Sequence, residues 1–364
     1  MTCASATALA ILFAISANAA IAVEPDVAIV DEFDGKLTLD WKPIRHDADW
    51  VSLTKNPGKL TITTQPGTLG YNEKLPGRIA TRNLHFIANP IKKGGDFAIT
   101  TCVDSFHPTQ TWQQAGLMIY DDDDNYLKYD IEWGGQHVCF KHMRETDQFR
   151  IVDTDDEIPK AEKHWLRITK RGNVYERAYS TNGKDFTVAG EKSWGHRDPE
   201  WIGLVATNGT SRAPGIDAQF DFFEVRTLTK QEQDDPRYRE RKAIKGKWEV
   251  KSCEFQGTLL EKNAFENFDF DGGYVSFAEI NELGSTAYRL EYALDPTTSP
   301  KGFIMSAFQP NADTPLNGNY QLNDDELLLC LSFVPGSPAP DEFKTTEGDR
   351  RMLIKMKRTS DQEK

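Results

Sequence analysis

From about residue 28 to 228 apolar and polar residues alternate with period two in short runs separated by turn residues, the pattern of antiparallel strands. Residues 97–103, 115–120 and 126–133 are three such runs, the last two joined by the acidic turn Asp121-Asp122-Asp123-Asp124-Asn125. The run 165–169 turns at Arg171-Gly172-Asn173 into 174–180. Asn182-Gly183 then predicts a type I′ hairpin into 185–189, because that pair takes positive φ readily. Runs 201–207 and 216–226 close the series, and helical periodicity is almost absent. Strands at this spacing predict a two-sheet β-sandwich of jelly-roll type. Residues 229–242 (TKQEQDDPRYRERK) carry nine charges in fourteen positions and predict an exposed linker or a short solvated helix. A second set of short strands runs from about 243 to 358, through 246–250, 274–277, 287–294, 318–322, the strongly apolar 327–331 and 351–356. It predicts a small antiparallel β-barrel, so the chain reads as all-β with two domains.

A length of 364 residues fits that division, and 38% apolar with 27% charged residues excludes collagen-like and wholly disordered chains. Fifty-six acidic against 43 basic residues give a net charge of −13, which repels nucleic acid and anionic membrane surfaces. Residues 8–15 form an apolar core too short to cross a bilayer, followed by small residues with cleavage sites after Ala19 or Ala22. Residues 1–22 therefore read as a signal peptide, although no Lys or Arg precedes the apolar core. The expected location is secreted, periplasmic or cell-surface. Export permits disulfides, and Cys102–Cys139 and Cys253–Cys330 are the pairs the domain division allows. Buried thiols in apolar strands are the other reading.

Several blocks carry a family resemblance. DEFDG at 31–35 with Trp41, QAGLMIYDDDDNYLKY at 114–129, HWLRITKRGNVYERAYSTNGKDF at 164–186 and FDFFEVR at 220–226 fall in one order over residues 28–228. They resemble the concanavalin-A-like accessory domains of bacterial β-xylosidases, which implies a jelly-roll sandwich associated with carbohydrate. IKGKWEVKSCEFQG at 244–257, GNYQLNDDELLLCLS at 318–332, residues 335–343 and MLIKMKR at 352–358 resemble a lipocalin-like domain of exported planctomycete proteins. That family implies a barrel and no particular activity.

Sandwich hydrolases of this fold place carboxylates at alternate positions of one strand, facing the sugar. Here Lys128-Tyr129-Asp130-Ile131-Glu132-Trp133 puts Asp130 and Glu132 on one face, about 6.6 Å apart by strand rise. The flanking positions are Lys128 and Gly134, so the three-carboxylate pattern is absent. Lys128 beside Asp130 is expected to hold that carboxylate ionised, which suits a salt bridge on a solvated face better than a general acid. Non-catalytic glycan binding fits better, since sugars take aromatic platforms and planar polar groups. Trp112, Gln113, Tyr126, Lys128, Asp130, Glu132 and Trp133 are the expected ligand-binding residues, with a polysaccharide as partner. The alternatives are a glycoside hydrolase using Asp130 and Glu132, and a structural or adhesion protein of the cell envelope. No cofactor is required. A structural calcium held by Glu32 or Asp34 and by Asp221 is the expected option, because related sandwiches tie their terminal strands together that way. No GxSxG, HExxH or P-loop motif occurs, and the seven histidines lack ligand spacing.

Overall fold

The computed structural model describes residues 27–69, 79–147, 149–194, 198–210, 213–261, 264–281, 284–306, 315–334 and 336–359. The expected signal peptide, at 1–22, lies outside them. The sandwich contains β1 (Ala28–Asp31), β2 (Lys42–Ile44), β3 (Val51–Ser52), β4 (Leu60–Thr63), β5 (Leu84–Ala88), β6 (Phe97–Asp104), β7 (Gln114–Asp122) and β8 (Asn125–Trp133). It continues with β9 (Val138–Thr146), β10 (Phe149–Glu157), β11 (Lys163–Arg171), β12 (Val174–Ser180), β13 (Thr187–Ser193), β14 (Trp201–Thr207) and β15 (Asp217–Thr227). One sheet runs β13-β12-β11-β6-β15-β4-β3, with β1 added beside β15, and the facing sheet runs β10-β9-β8-β7-β14-β5-β2. Every pairing is antiparallel, as period-two runs joined by tight turns require.

Alternation decides the layers. Leu127, Tyr129 and Ile131 of β8, with Leu117 and Ile119 of β7, meet Ile99, Leu166, Ile168 and Phe223 of the other sheet in one buried core. Each such side chain contributes roughly 1.5–3 kcal/mol. Asp122 closes the acidic turn, its Oδ1 accepting from the Asp124 amide and from Asn125 Nδ2, both at 2.9 Å. The turn at Asn182-Gly183 differs from the expected type I′. β12 ends at Ser180 and β13 starts at Thr187, and only Gly183 has positive φ (+73°). Asn182 Oδ1 instead accepts from the amides of Lys184 and Asp185, and Ser180 Oγ from those of Asn182 and Gly183. Side-chain acceptors thus organise a longer loop that the Asn-Gly pair does not close by itself.

The charged segment is two short helices, α1 (Lys230–Gln233) and α2 (Pro236–Ile244). Thr229 and Glu232 cap α1 reciprocally, and Asp235 caps α2 with Pro236 in its first turn. These charges were expected to be solvated, yet most are paired. Arg237 Nη2 donates to Glu176 at 2.7 Å, Tyr238 Oη to Asp96, and Arg241 to Glu191, all on the sandwich. Positions 237, 238 and 241 share one helix face. Glu240, on another face, accepts from Lys301 and Tyr320 of the second domain at 2.7 and 3.1 Å.

That second domain consists of β16 (Gly246–Phe255), β17 (Thr258–Leu259), β18 (Phe268–Asp271), β19 (Tyr274–Asn281), β20 (Gly284–Asp295), β21 (Lys301–Met305), β22 (Leu316–Asn323), β23 (Glu326–Ser332) and β24 (Arg351–Arg358). Consecutive pairing from β18 to β24, closed by β16 on both β18 and β24, makes an eight-stranded antiparallel barrel with β17 as an appendage. Trp248, Phe270, Phe303, Tyr320 and Leu329 fill it. The Arg358 guanidinium lies 4.1 Å over the Trp248 ring and donates to Lys245 and Ala243 carbonyls, fixing the end of α2 to the barrel. At the domain junction Arg144 donates to Ser193 O and to Glu291 of β20. Tyr274 Oη reaches the same Ser193 carbonyl at 3.2 Å. The four described cysteines, all buried, form no disulfide with one another.

Candidate functional site

The face of β7 and β8 turned away from the sandwich core carries Gln114, Met118 and Tyr120 beside Tyr126, Lys128, Asp130 and Glu132. That face was expected to be solvated. It is covered instead, and Lys128, Asp130 and Glu132 are only 4%, 0% and 4% exposed. The cover includes 67–69, pinned by Gly67 N to Gly209 O, Thr68 N to Ile79 O and Thr81 N to Thr68 O. Beneath it a hollow of about 310 Å³ opens between Thr68, Trp112, Gln114, Tyr126, Lys128 and Thr207.

The floor is one polar row. Lys128 Nζ donates to Asp130 Oδ2 at 2.5 Å and to Gln114 Oε1 at 2.6 Å, and lies 3.9 Å from Glu132 Oε2. Asp130 Oδ1 is buried and has no hydrogen-bond partner among the described residues. Room for this carboxylate comes from Gly116 opposite, where an added Cβ would lie 2.5 Å from Asp130 Cα. Lys128 was expected to dominate the Asp130 titration. Burial does so: it pushes the Asp130 carboxyl up from the ordinary aspartate range, against the pull of Lys128. Tyr126 Oη donates to Glu145 at 2.9 Å, which fixes the ring at the back of the hollow.

Trp112 stands at the rim. It is 46% exposed and has φ +70°, a conformation costing a bulky residue roughly 1–3 kcal/mol. Gly209 makes the pose possible, since a Cβ there would sit 2.7 Å from Trp112 Cβ. Gln113 does not line the hollow. Its Oε1 accepts from the Thr109 and Gln110 amides and its Nε2 donates to Pro214 O, so it braces the loop that carries Trp112. Trp133 is half-buried on the core-side parity of β8, and its amide reaches Gln113 O. The hollow therefore joins Trp112, Tyr126 and Lys128 of the expected set, with Asp130 and Glu132 continuing the row. Gln114, Thr68 and Thr207 were not expected. Gln114 shares its face with Lys128 by register, whereas Thr68 and Thr207 arrive through long-range folding that no local pattern announces.

The acids expected to hold calcium are not gathered. Glu32 and Asp34 are exposed, Asp221 pairs with Lys163 at 2.7 Å, and the described residues contain no group of three or more His, Cys, Asp and Glu suited to a metal. The buried acid of the DEFDG block is Asp31. It accepts from the Phe33, Thr38 and Leu39 amides and from Trp41 Nε1, and these bonds hold it ionised against its burial.

Two antiparallel sheets facing across one core, with a polar row on the outer face of one sheet, define a concanavalin-A-like sandwich. The chain belongs to the family of β-xylosidase C-terminal concanavalin A-like domains, whose model matches residues 30–226. Among solved structures it is similar to the GH43 protein BlXynB from Bacillus licheniformis, at 23% identity and a TM-score of 0.46, over 55% of this chain and 39% of that one. It is similar to the xylan β-1,4-xylosidase from Bacillus halodurans C-125 at 18% identity and TM-score 0.44, over 54% and 38% of the two chains. A functionally unknown protein from Saccharomyces cerevisiae aligns at 20% identity and TM-score 0.38, over 54% of this chain and 95% of that one. The chain thus spans about two fifths of the two bacterial proteins. No curated protein matches it.

Proposed function

We propose that this is an exported glycan-binding protein whose sandwich holds a saccharide in the hollow between Trp112, Tyr126 and Lys128, the barrel serving as an accessory lipocalin-like module. The observation that carries the reading is Trp112, a large aromatic ring kept exposed at positive φ over a polar-floored hollow. Strain of this kind persists where surrounding structure maintains it, and a ring in that pose offers its face to the CH face of a sugar. Gln114, Thr68 and Thr207 supply the donors and acceptors that hydroxyls need. Membership of a domain family attached to xylosidases supports a plant-type polysaccharide as ligand. The test is a glycan-array screen of the full chain, with and without calcium. A selective hit that Trp112→Gly abolishes supports the reading, with thermal stability unchanged or raised because glycine relieves the strain. Selective binding of an uncharged glycan that survives W112G overturns it.

A second reading, glycoside hydrolysis by Asp130 and Glu132, is favoured by the raised Asp130 carboxyl, which a general acid requires. Against it, Lys128 closes over both acids and neither reaches solvent appreciably. Reducing-sugar release from the bound glycan that is lost in both D130N and E132Q would establish hydrolysis.

A further inference from the structure

The outer face of the other sheet, formed by β15, β6, β11 and β12, carries its charges largely in pairs. Arg226 grips Glu232 with both guanidinium arms at 2.7 Å. Arg171 and Arg237 share Glu176 at 3.4 and 2.7 Å. Lys163 lies between Asp104 and Asp221 at 3.2 and 2.7 Å. Arg167, in the middle of this face, makes no ion pair within 4 Å among the described residues. It is nevertheless held in place. Its Nε donates to Thr100 Oγ1 at 3.1 Å, and its guanidinium lies 3.6 Å from the centre of the Phe186 ring. Burial, with Arg226 adding repulsion, pushes its pKa down from the ordinary arginine range, although Glu232, Glu224 and Glu176 pull the other way from beyond ion-pair distance.

Arg167 belongs to two adjoining hollows. One, of about 390 Å³, lies between Trp165, Phe222, Thr100 and Glu224. The other, of about 650 Å³, runs on toward Thr169 and the start of α2. Phe186 borders both. The loop carrying Gly183 covers one edge of Trp165, since a Cβ at Gly183 would fall 2.9 Å from the indole. The result is a pre-positioned guanidinium fork beside aromatic rings, in a cavity of the size that ligand sites have.

We propose that this face is a second saccharide site, specific for a carboxylate-bearing sugar: a uronic acid unit whose carboxylate docks on Arg167 and whose ring packs against Trp165 and Phe222. A carboxylate accepts two parallel hydrogen bonds from a guanidinium, geometry that neither a hydroxyl nor a lysine reproduces. Glu224 takes sugar hydroxyls as donors. The net charge of −13 sharpens the choice, since the field of the whole protein disfavours a densely charged polyuronate and leaves sparse uronate substituents on a neutral chain as the better fit. This site is on the opposite sheet from Trp112 and stands or falls separately from the proposed function.

The test is isothermal titration of the full chain with a short xylo-oligosaccharide bearing one glucuronate. The same oligosaccharide with its carboxyl reduced to the alcohol, and a sulfated analogue, are titrated alongside. The expected result is that the acid form binds roughly tenfold or more tightly than the alcohol form, a difference that disappears in Arg167→Gln and Arg167→Lys and persists in W112G. Unaltered thermal melting of the Arg167 variants separates loss of the site from loss of the fold, and Phe186→Leu, which removes only the stacking ring, weakens binding more mildly. Equal affinity for the acid and alcohol forms overturns the proposal, as does an acid-over-alcohol preference that is retained in R167Q or lost in W112G, or no detectable binding by the folded wild type. Tighter binding of the sulfated analogue reassigns the site to sulfated sugars and overturns the carboxylate specificity.

Discussion

Replacing Lys128 with methionine keeps the volume of the side chain and removes the ammonium that donates to Asp130 and lies beside Glu132. In the native protein Nζ is 2.5 Å from Asp130 and 3.9 Å from Glu132, and both acids are almost wholly buried. Taking one partner from a buried ion pair costs about 3–5 kcal/mol at neutral pH, because the remaining charge is left in a low-dielectric site. The cost depends on pH with a definite sign. Burial already raises the folded-state pKa of Asp130, so the folded protein binds a proton that the unfolded chain releases. Stability from that proton is present below the ordinary aspartate value and is lost as pH rises through the folded one. K128M moves the folded value further up, so its deficit is greatest at neutral pH and shrinks on acidification. Urea unfolding of the full chain at neutral pH and near pH 4, followed by tryptophan fluorescence, measures both ends. The midpoint is expected to fall by roughly 1–2 M at neutral pH and by clearly less in acid. A neutral-pH deficit under about 1 kcal/mol, or one of the same size in acid, would refute the reasoning.

Two further substitutions test other parts of the structure. Gly116→Ala places a Cβ 2.3 Å from Tyr129 O, so the two central strands must part, and a loss of about 2 kcal/mol or more is expected in thermal melting. Glu232 is opposed by its burial, yet the Arg226 arms and the Thr229 amide and hydroxyl pull its carboxyl down to about 2. The stability this supplies is present above the ordinary glutamate value and is lost as pH falls through about 2. Glu232→Gln should therefore melt below wild type at neutral pH and converge with it in strong acid; parallel pH profiles would count against the pairing.

The strands were legible because a half-buried sheet imposes alternation on every residue of a run. Parity alone set Lys128, Asp130 and Glu132 against Tyr129 and Ile131, and the structure keeps that division. Burial of the polar row was not legible, since its cover comes from residues 67–69, about sixty positions away. The charges of 229–242 read as solvent-seeking because composition records charge and not partner. Glu176, Glu191 and Asp96, which pair with them, lie 50 to 142 positions earlier. Trp112 attracted notice as an aromatic, but its positive φ depends on Gly209 and on a Gln113 brace that reaches across to Pro214, and both of those partners lie about a hundred positions away.

Helix α2 is bonded on one face to the sandwich and on another to the barrel, and Arg144 bonds across to Glu291. Each domain closes its own core, but the surfaces that meet are matched charge for charge. A chimaera carrying a different sandwich before residue 229 would leave Arg237, Arg241 and Glu291 facing a surface that lacks Glu176, Glu191 and Arg144. A graft of this barrel keeps its junction only if that charge lock is transplanted with it, so α2 belongs to both domains at once.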